Sequence, residues 1–152
     1  MKILLATDGS EYSIAATEEL AARQFPSDAE VLIISVFQNT PMIASVPAPM
    51  GGLAGGWEEA NTVMKKMAEE TVQKAADILR RRNPGWYIST KVVEGSPKHA
   101  ILQQADELGA DLIVVGSHGR GAVGRFLLGS VSQSVSMHAK CSVEIARKPI
   151  IA

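Results

Sequence analysis

Short apolar runs alternate with amphipathic stretches along this chain, and Gly, Pro, Asp or Ser residues separate them. Most of the apolar runs lack polar alternation, which is typical of strands covered on both faces of a parallel sheet. The predicted strands are Met1–Thr7, Ala29–Phe37, Trp86–Val93, Asp111–Val115 and Cys141–Arg147. The predicted helices, whose apolar residues recur at helical spacing, are Ile14–Ala22, Glu58–Arg82, Pro97–Leu108 and Ser130–His138.

Local signals mark where these helices begin and end. Ser10 and Ser96 are typical N-cap residues, and Pro97 suits the first position of a helix. The sequence NPG at 83–85 stops the long second helix, and Gly109 ends the third. The alternating order of strands and helices predicts an α/β fold with a parallel sheet and right-handed crossovers.

The whole chain, 1–152, is predicted to be one domain, because its length suits a single core and no repeat or second unit is marked. The stretch 39–56 is rich in Pro, Gly, Ala and Met and has almost no charge. It predicts a long loop that contacts the protein body, a ligand or a partner, with disorder as the alternative.

Composition indicates which kinds of partner and which cellular location to expect. The net charge is −1, from 15 basic and 16 acidic residues, so the sequence predicts no nucleic-acid partner and no membrane partner, both of which usually need a cationic face. The single cysteine, Cys141, cannot form an internal disulfide and suits a small packing role. No apolar run is long enough for a signal-peptide core or for the roughly 20 residues of a membrane span. We therefore predict a cytoplasmic location.

The stretch 116–135 carries five glycines from Gly116 to Gly129 and directly follows the predicted fourth strand. Glycine lets a backbone approach a ligand closely, and the free N–H groups of a helix that begins at Ser130 favour an anion such as phosphate. The hydroxyls of Ser130 and Ser132 add donors. A strand, a glycine loop and a helix start together predict a phosphate site at the carboxyl edge of the sheet.

Two common phosphate motifs do not describe this stretch. A Walker A loop requires a lysine that is missing here. Gly119, Gly121 and Gly124 match GxGxxG, but this match is weak because a dinucleotide fingerprint normally follows the first strand of the fold.

The same stretch resembles the universal stress protein family, whose ATP motif is G-x2-G-x9-G-[ST]. Gly116, Gly119, Gly129 and Ser130 meet this motif. The sequences TDGS at 7–10, GSP at 95–97 and ADLIVVG at 110–116 are also similar to the family pattern. The resemblance covers essentially the whole chain.

The resemblance implies a Rossmann-like sheet of five parallel strands in the order 3-2-1-4-5, with helices on both faces. It implies ATP with Mg²⁺ as ligand, with ADP or AMP as alternatives. Asp8 would contact the ribose or hold the metal through water, and the backbone of Val36 would read adenine. The cofactor-binding residues assigned in this way are Asp8, Val36, Gly116, Gly119, Arg120, Gly129, Ser130, Val131 and Ser132. Two alternatives stay open, since Asp8 could instead help to cap the first helix and Arg120 could be a solvated loop residue.

The family resemblance also implies a homodimer joined through the last strand, with Val143 and Ile145 in the contact. Ser142 and Glu144 depart from the apolar pattern usual for that strand. The predicted function is an ATP-binding, nucleotide-dependent regulatory module of the stress response that acts on protein partners the sequence does not identify.

Two other functions remain as alternatives: a slow ATP hydrolase or phosphotransferase, and an interaction protein with a vestigial pocket. Turnover needs a base or a water-orienting residue near the terminal phosphate, for which the sequence offers only Asp8, His118 and the serines. No catalytic residue is assigned, because His118 has no nucleophile or carboxylate at a telling spacing.

Overall fold

The computed structural model describes residues 1–39, 55–121 and 127–148. Its strands are β1 (Lys2–Ala6), β2 (Glu30–Phe37), β3 (Tyr87–Glu94), β4 (Leu112–Gly116) and β5 (Ser142–Ala146). Its helices are α1 (Glu11–Ala22), α2 (Gly55–Arg82), α3 (Pro97–Leu108) and α4 (Ser130–His138). The strand and helix order predicted from the apolar pattern is confirmed.

All five strands are parallel and lie in the order β3-β2-β1-β4-β5. This confirms the predicted 3-2-1-4-5 sheet. From the central strand β1 the chain moves outward on one side to β2 and β3, and it then crosses to β4 on the other side. The topological switch point therefore lies at the carboxyl ends of β1 and β4, where α/β proteins bind their ligands.

Two apolar clusters cover the two faces of the sheet. On one face, α1 and α2 pack against alternate strand residues such as Ile3, Leu5 and Ile33. On the other face, α3 and α4 pack against the intervening residues, among them Leu4 and Ile34. Both faces of the central strands are buried, which explains why their sequences are apolar without alternation.

Both predicted N-cap residues occupy the N-cap position, but only Ser10 makes a side-chain hydrogen bond to its helix. Ser10 is the N-cap of α1, and its hydroxyl oxygen accepts the N–H of Ser13 at 3.2 Å. This cap starts α1 at Glu11, and the first residue of the apolar pattern, Ile14, follows within the first turn. Ser96 occupies the N-cap position of α3 without a side-chain cap bond, and Gly109 ends α3 in the left-handed conformation, at a φ of 65°.

The predicted irregular stretch 39–56 is wrong at its C-terminal end, because α2 already begins at Gly55. A glycine in a helix costs about 1 kcal/mol relative to alanine. A helix of 28 residues can absorb this cost, since each added residue contributes one hydrogen bond once the helix has nucleated. The remainder of the prediction, 40–54, lies outside the described residues.

No helix in the described ranges is both long and apolar enough to cross a membrane. Cys141 precedes β5 and packs, half-buried, against the α3 and α4 cluster. Burial raises the pKa of the Cys141 thiol, and the nearby carboxylates of Asp106 and Asp111 raise it further. A thiol with a raised pKa is a poor nucleophile at neutral pH, which agrees with the predicted packing role.

Candidate functional site

A cavity of about 480 Å³ opens at the carboxyl edge of the sheet, within the size range of small-molecule sites. The ends of β1, β2 and β4, the segments after β1 and β4, and the starts of α3 and α4 form its walls. Every predicted cofactor-binding residue except Arg120 lines it: Asp8, Val36, Gly116, Gly119, Gly129, Ser130, Val131 and Ser132. The folded chain thus brings Asp8, which follows β1, together with the glycine stretch after β4 at the switch point.

Part of the cavity wall is apolar, and most of this part was not predicted. It includes residues of β2, β4, α3 and α4: Ile34, Val36, Pro97, Ile101, Val115 and Val131. Such a wall suits a flat apolar group such as a nucleobase. Strand alternation identifies the β2 residues of this wall, because every second residue of β2 faces α3 and α4.

Among the described residues, the backbone N–H and C=O of Val36 have no hydrogen-bond partner on the β1 side, and Val36 lines the cavity. The carbonyl of Ile34 accepts an N–H from the residue after β1, and the carbonyl of Phe37 accepts one from the residue after β3, both at 2.9 Å. Successive residues of a strand direct their backbone groups to opposite neighbours, so those of Val36 face the β1 side. They lie beyond the end of β1, whose last residue, Ala6, pairs with Ile34.

Asp8 joins the end of β1 to the glycine stretch. Its Oδ1 accepts the N–H of Ser10 at 2.9 Å, and its Oδ2 accepts the N–H of Arg120 at 3.1 Å. A side chain on Gly119 would place its Cβ 3.0 Å from Asp8 Oδ2, so the glycine allows this close approach. The N-cap of α1 is Ser10, and Asp8 supports the turn before the helix while it also holds the loop across the cavity.

The main chain of Arg120 belongs to this site, but its side chain lies outside the cavity wall. Its guanidinium packs over Gly9, where an added Cβ would meet Arg120 Nη2 at 2.9 Å and Thr71 Oγ1 at 3.2 Å. Gly9 has a φ of 77°, in the left-handed region that favours glycine. The predicted contact of Arg120 with a ligand would therefore require its side chain to leave Gly9.

The two ends of the glycine stretch meet below the cavity. The N–H of Gly129 donates to the carbonyl of Ser117 at 2.8 Å. The Ser132 hydroxyl, which is buried, lies 3.0 Å from the Ser117 carbonyl oxygen and 2.9 Å from that of Gly129, and donates to this pair. Its proton is thus engaged within the protein, whereas Ser130 is exposed at the first position of α4.

The start of α4 lines the cavity with backbone N–H groups that the helix itself does not pair. The first α-helical hydrogen bond of α4 runs from the N–H of Gln133 to the carbonyl of Gly129. The N–H groups of Ser130, Val131 and Ser132 precede it and have no acceptor within the helix. These groups, at the positive end of the helix dipole, can bind an anion.

Gly116, in contrast, is required by packing. A Cβ at this position would lie 2.7 Å from the carbonyl carbon of Tyr12 and 2.9 Å from the nitrogen of Ser13. Both are backbone atoms of α1, which cannot move aside as a flexible side chain can. The first glycine of the motif therefore lets α1 approach the end of β4, whatever the cavity binds.

The edge strand β5 carries a charge on one face only. Val143 and Ile145 pack, half-buried, against the α3 and α4 cluster. Glu144 points to the other face, where Arg23 Nη2 lies 3.1 Å from its Oε1 in an ion pair without hydrogen-bond alignment. The charge that departs from the apolar pattern is thus matched by a cation of the segment after α1.

A parallel sheet of this order, with helices on both faces and a cavity at its switch point, places the chain in the doubly wound class of α/β folds. The chain belongs to the universal stress protein family, whose family model matches residues 1–147. A universal stress protein of Methanocaldococcus jannaschii is 35% identical over 150 residues, covering 97% of this chain and 82% of the relative. One of Bacillus subtilis is 32% identical over 151 residues, covering 96% and 98%.

Solved structures share the fold. The hypothetical protein MJ0577 superposes with a TM-score of 0.73 at 26% identity, covering 97% of this chain and 96% of that one. A universal stress protein in complex with cAMP has a TM-score of 0.65 at 22% identity, covering 97% and 96%. A family member from Arabidopsis thaliana with AMP bound has a TM-score of 0.69 at 18% identity, covering 99% and 93%.

Proposed function

We propose that this protein binds an adenine nucleotide in the cavity and acts as a homodimeric regulatory module of the stress response. The observation that carries the proposal is the combination of an apolar wall, the free backbone groups of Val36 and the N-terminus of α4 around one cavity. The cAMP and AMP complexes of two structural neighbours support the same ligand class.

The free backbone groups of Val36 complement adenine. Adenine offers an acceptor at N1 beside a donor at its 6-amino group, which fit an N–H and a C=O of the same residue. Guanine has a donor at N1 and an acceptor at O6, so the same backbone would face like groups. The apolar wall around Val36 would hold the ring in place.

The phosphates of the nucleotide would lie at the start of α4. Its free N–H groups supply donors for a phosphate there without a cationic side chain. The described residues contain no group of three or more acidic, His or Cys side chains that could hold a metal. For ATP, Mg²⁺ would therefore be held by the phosphates and by water, with Asp8 as the nearby carboxylate, and it would neutralise phosphate charge.

The geometry favours binding over turnover. Both carboxylate oxygens of Asp8 accept backbone N–H groups, and both ring nitrogens of His118 have hydrogen-bond partners. These bonds tie both side chains into the surrounding chain, and none of them comes from a group that would activate the side chain as a base toward water. We therefore propose a nucleotide-binding regulator rather than an ATP hydrolase or phosphotransferase.

Calorimetric titration of the nucleotide-free protein tests the binding proposal. AMP and ATP with Mg²⁺ are expected to bind saturably, and AMP to bind at least about tenfold more tightly than GMP, because a bidentate base contact contributes roughly 1–3 kcal/mol of discrimination. Folding of the sample is checked by circular dichroism. Folded protein that binds none of these nucleotides would remove the proposed function, and equal affinity for AMP and GMP would exclude base reading by Val36.

The homodimer is proposed to form through β5. Within the described sheet β5 pairs with β4 alone, which leaves a backbone edge that another strand can extend. Val143 and Ile145 share one face of that edge, so in a two-fold strand pair they would meet the same residues of the second copy.

Charge placed on β5 tests this interface by sedimentation velocity. Wild type is expected to sediment as a dimer and Val143→Lys as a monomer, because the buried lysine would face its own copy across the two-fold axis. Ser142→Lys is the matched control, since Ser142 is exposed on the same strand, and it should stay dimeric. A dimeric Val143→Lys protein, or a monomeric wild type, would place any self-association elsewhere or exclude it.

A further inference from the structure

The imidazole of His118 connects the two ends of the glycine stretch. Its Nδ1 lies 3.0 Å from the hydroxyl oxygen of Ser117, and its Nε2 is hydrogen-bonded to the carbonyl oxygen of Leu127. The ring also packs against the ring of Tyr12, with centroids 4.9 Å apart. One side chain thus contacts Ser117 near the first glycine of the stretch, Leu127 near its last glycine, and α1.

The hydrogen-bond partners of His118 determine which ring nitrogen carries the hydrogen in the neutral ring. A carbonyl oxygen only accepts, so Nε2 must carry the hydrogen and donate to Leu127. In the neutral ring Nδ1 then lacks a hydrogen and accepts from the hydroxyl of Ser117, which is buried at 2% exposure. Both nitrogens are satisfied in a single tautomer, and the ring orientation is determined by its contacts.

The contacts of His118 reinforce the backbone closure at the same place. The N–H of Gly129 donates to the carbonyl of Ser117 at 2.8 Å, and a Cβ on Gly129 would lie only 3.2 Å from His118 Cα. The bond to Leu127 holds the segment directly before the α4 N-terminus. Loosening it would release the residues that lead into the free N–H groups of Ser130 and Val131.

We infer that His118 is a positioning residue: it joins Ser117 to Leu127 at the base of the glycine stretch and so holds the α4 N–H groups in position for phosphate. The role rests on the proposed nucleotide function. N–H groups that are already positioned before binding do not have to be ordered by the ligand, and affinity rises accordingly.

Substitutions that separate the two ring nitrogens test this inference, with AMP as the probe. The Gln amide of His118→Gln can replace the Nε2 donor to Leu127, whereas the shorter amide of His118→Asn reaches only the Nδ1 position. We expect His118→Ala and His118→Asn to bind AMP about tenfold more weakly, and His118→Gln to stay within about threefold of wild type. His138→Ala is the control, since His138 lies at the far end of α4 and bonds to Ser134.

Amide hydrogen exchange gives a second readout that does not depend on ligand. The Gly129 amide should exchange faster in the Ala and Asn variants and at the wild-type rate in the Gln variant. Full AMP affinity in His118→Ala, or equal losses in the Gln and Asn variants, would overturn the positioning role. If wild type binds no AMP, the proposed function fails, and exchange alone decides whether His118 closes the loop: an unchanged Gly129 rate in His118→Ala excludes it.

Discussion

Replacing Gly116 by alanine is expected to lower the free energy of unfolding by about 3 kcal/mol in the absence of any nucleotide. The added Cβ would lie 2.7 Å from the carbonyl carbon of Tyr12, 2.8 Å from its oxygen and 2.9 Å from the nitrogen of Ser13. These atoms belong to the first turns of α1, so the helix or the end of β4 would have to shift. Equilibrium unfolding in urea measures the change.

Gly121→Ala is the matched control, because it lies in the same glycine stretch and its added Cβ would meet no atom of the described residues within 4 Å. Its φ is not left-handed, so we expect its stability to stay within about 0.5 kcal/mol of wild type. Equal stability of the Gly116→Ala protein and wild type would show that α1 yields easily, and that Gly116 is needed for another reason.

Glycine is thus required at different positions of one motif for different physical reasons. Gly116 allows a helix to pack on a strand, and Gly119 gives room to the carboxylate of Asp8. Gly129 lets the two ends of the loop approach. A glycine in a ligand-binding motif can therefore be required for packing rather than for ligand contact. A stability measurement without ligand distinguishes these two roles.

The fold was predictable from sequence because its strands are buried on both faces. Ile3, Leu4 and Leu5 follow one another without a polar residue and are fully buried, as is typical of a parallel sheet covered by helices on both sides. Helix ends were less certain. Gly55 and Gly56 predict a loop by propensity, yet α2 includes them, since helix propagation overcomes a weak local preference.

The candidate site was predictable where its residues are contiguous in sequence and less so where the fold assembles it. The glycine stretch and Ser130 can be recognised from their spacing in the sequence. Pro97 and Ile101, in contrast, reach the cavity only because α3 packs beside α4. The position of the Arg120 side chain over Gly9 depends on a turn far away in the sequence. The local sequence around His118 does not predict its contacts with Ser117 and Leu127.

Substituting valine for Gly129 is expected to weaken AMP binding by about 100-fold or more, while the protein stays folded. A Cβ at this position would lie 3.2 Å from both His118 Cα and the Ser117 carbonyl oxygen, and the two γ-carbons of valine would need further space. The chain would have to open between Ser117 and Gly129, which breaks the 2.8 Å bond from the Gly129 N–H. The N–H groups at the start of α4 would then point away from the phosphate.

Ser130→Ala distinguishes a backbone cradle from a hydroxyl site in the same calorimetric experiment. Alanine removes the exposed hydroxyl of Ser130 but retains its N–H at the first position of α4. If the backbone N–H groups bind the phosphate, this variant should lose about threefold in affinity or less. A loss as large as that of Gly129→Val would assign the phosphate to the serine hydroxyl. Unchanged binding in Gly129→Val would show that the loop base can open without moving the α4 N-terminus, and the phosphate would then have to lie elsewhere in the cavity.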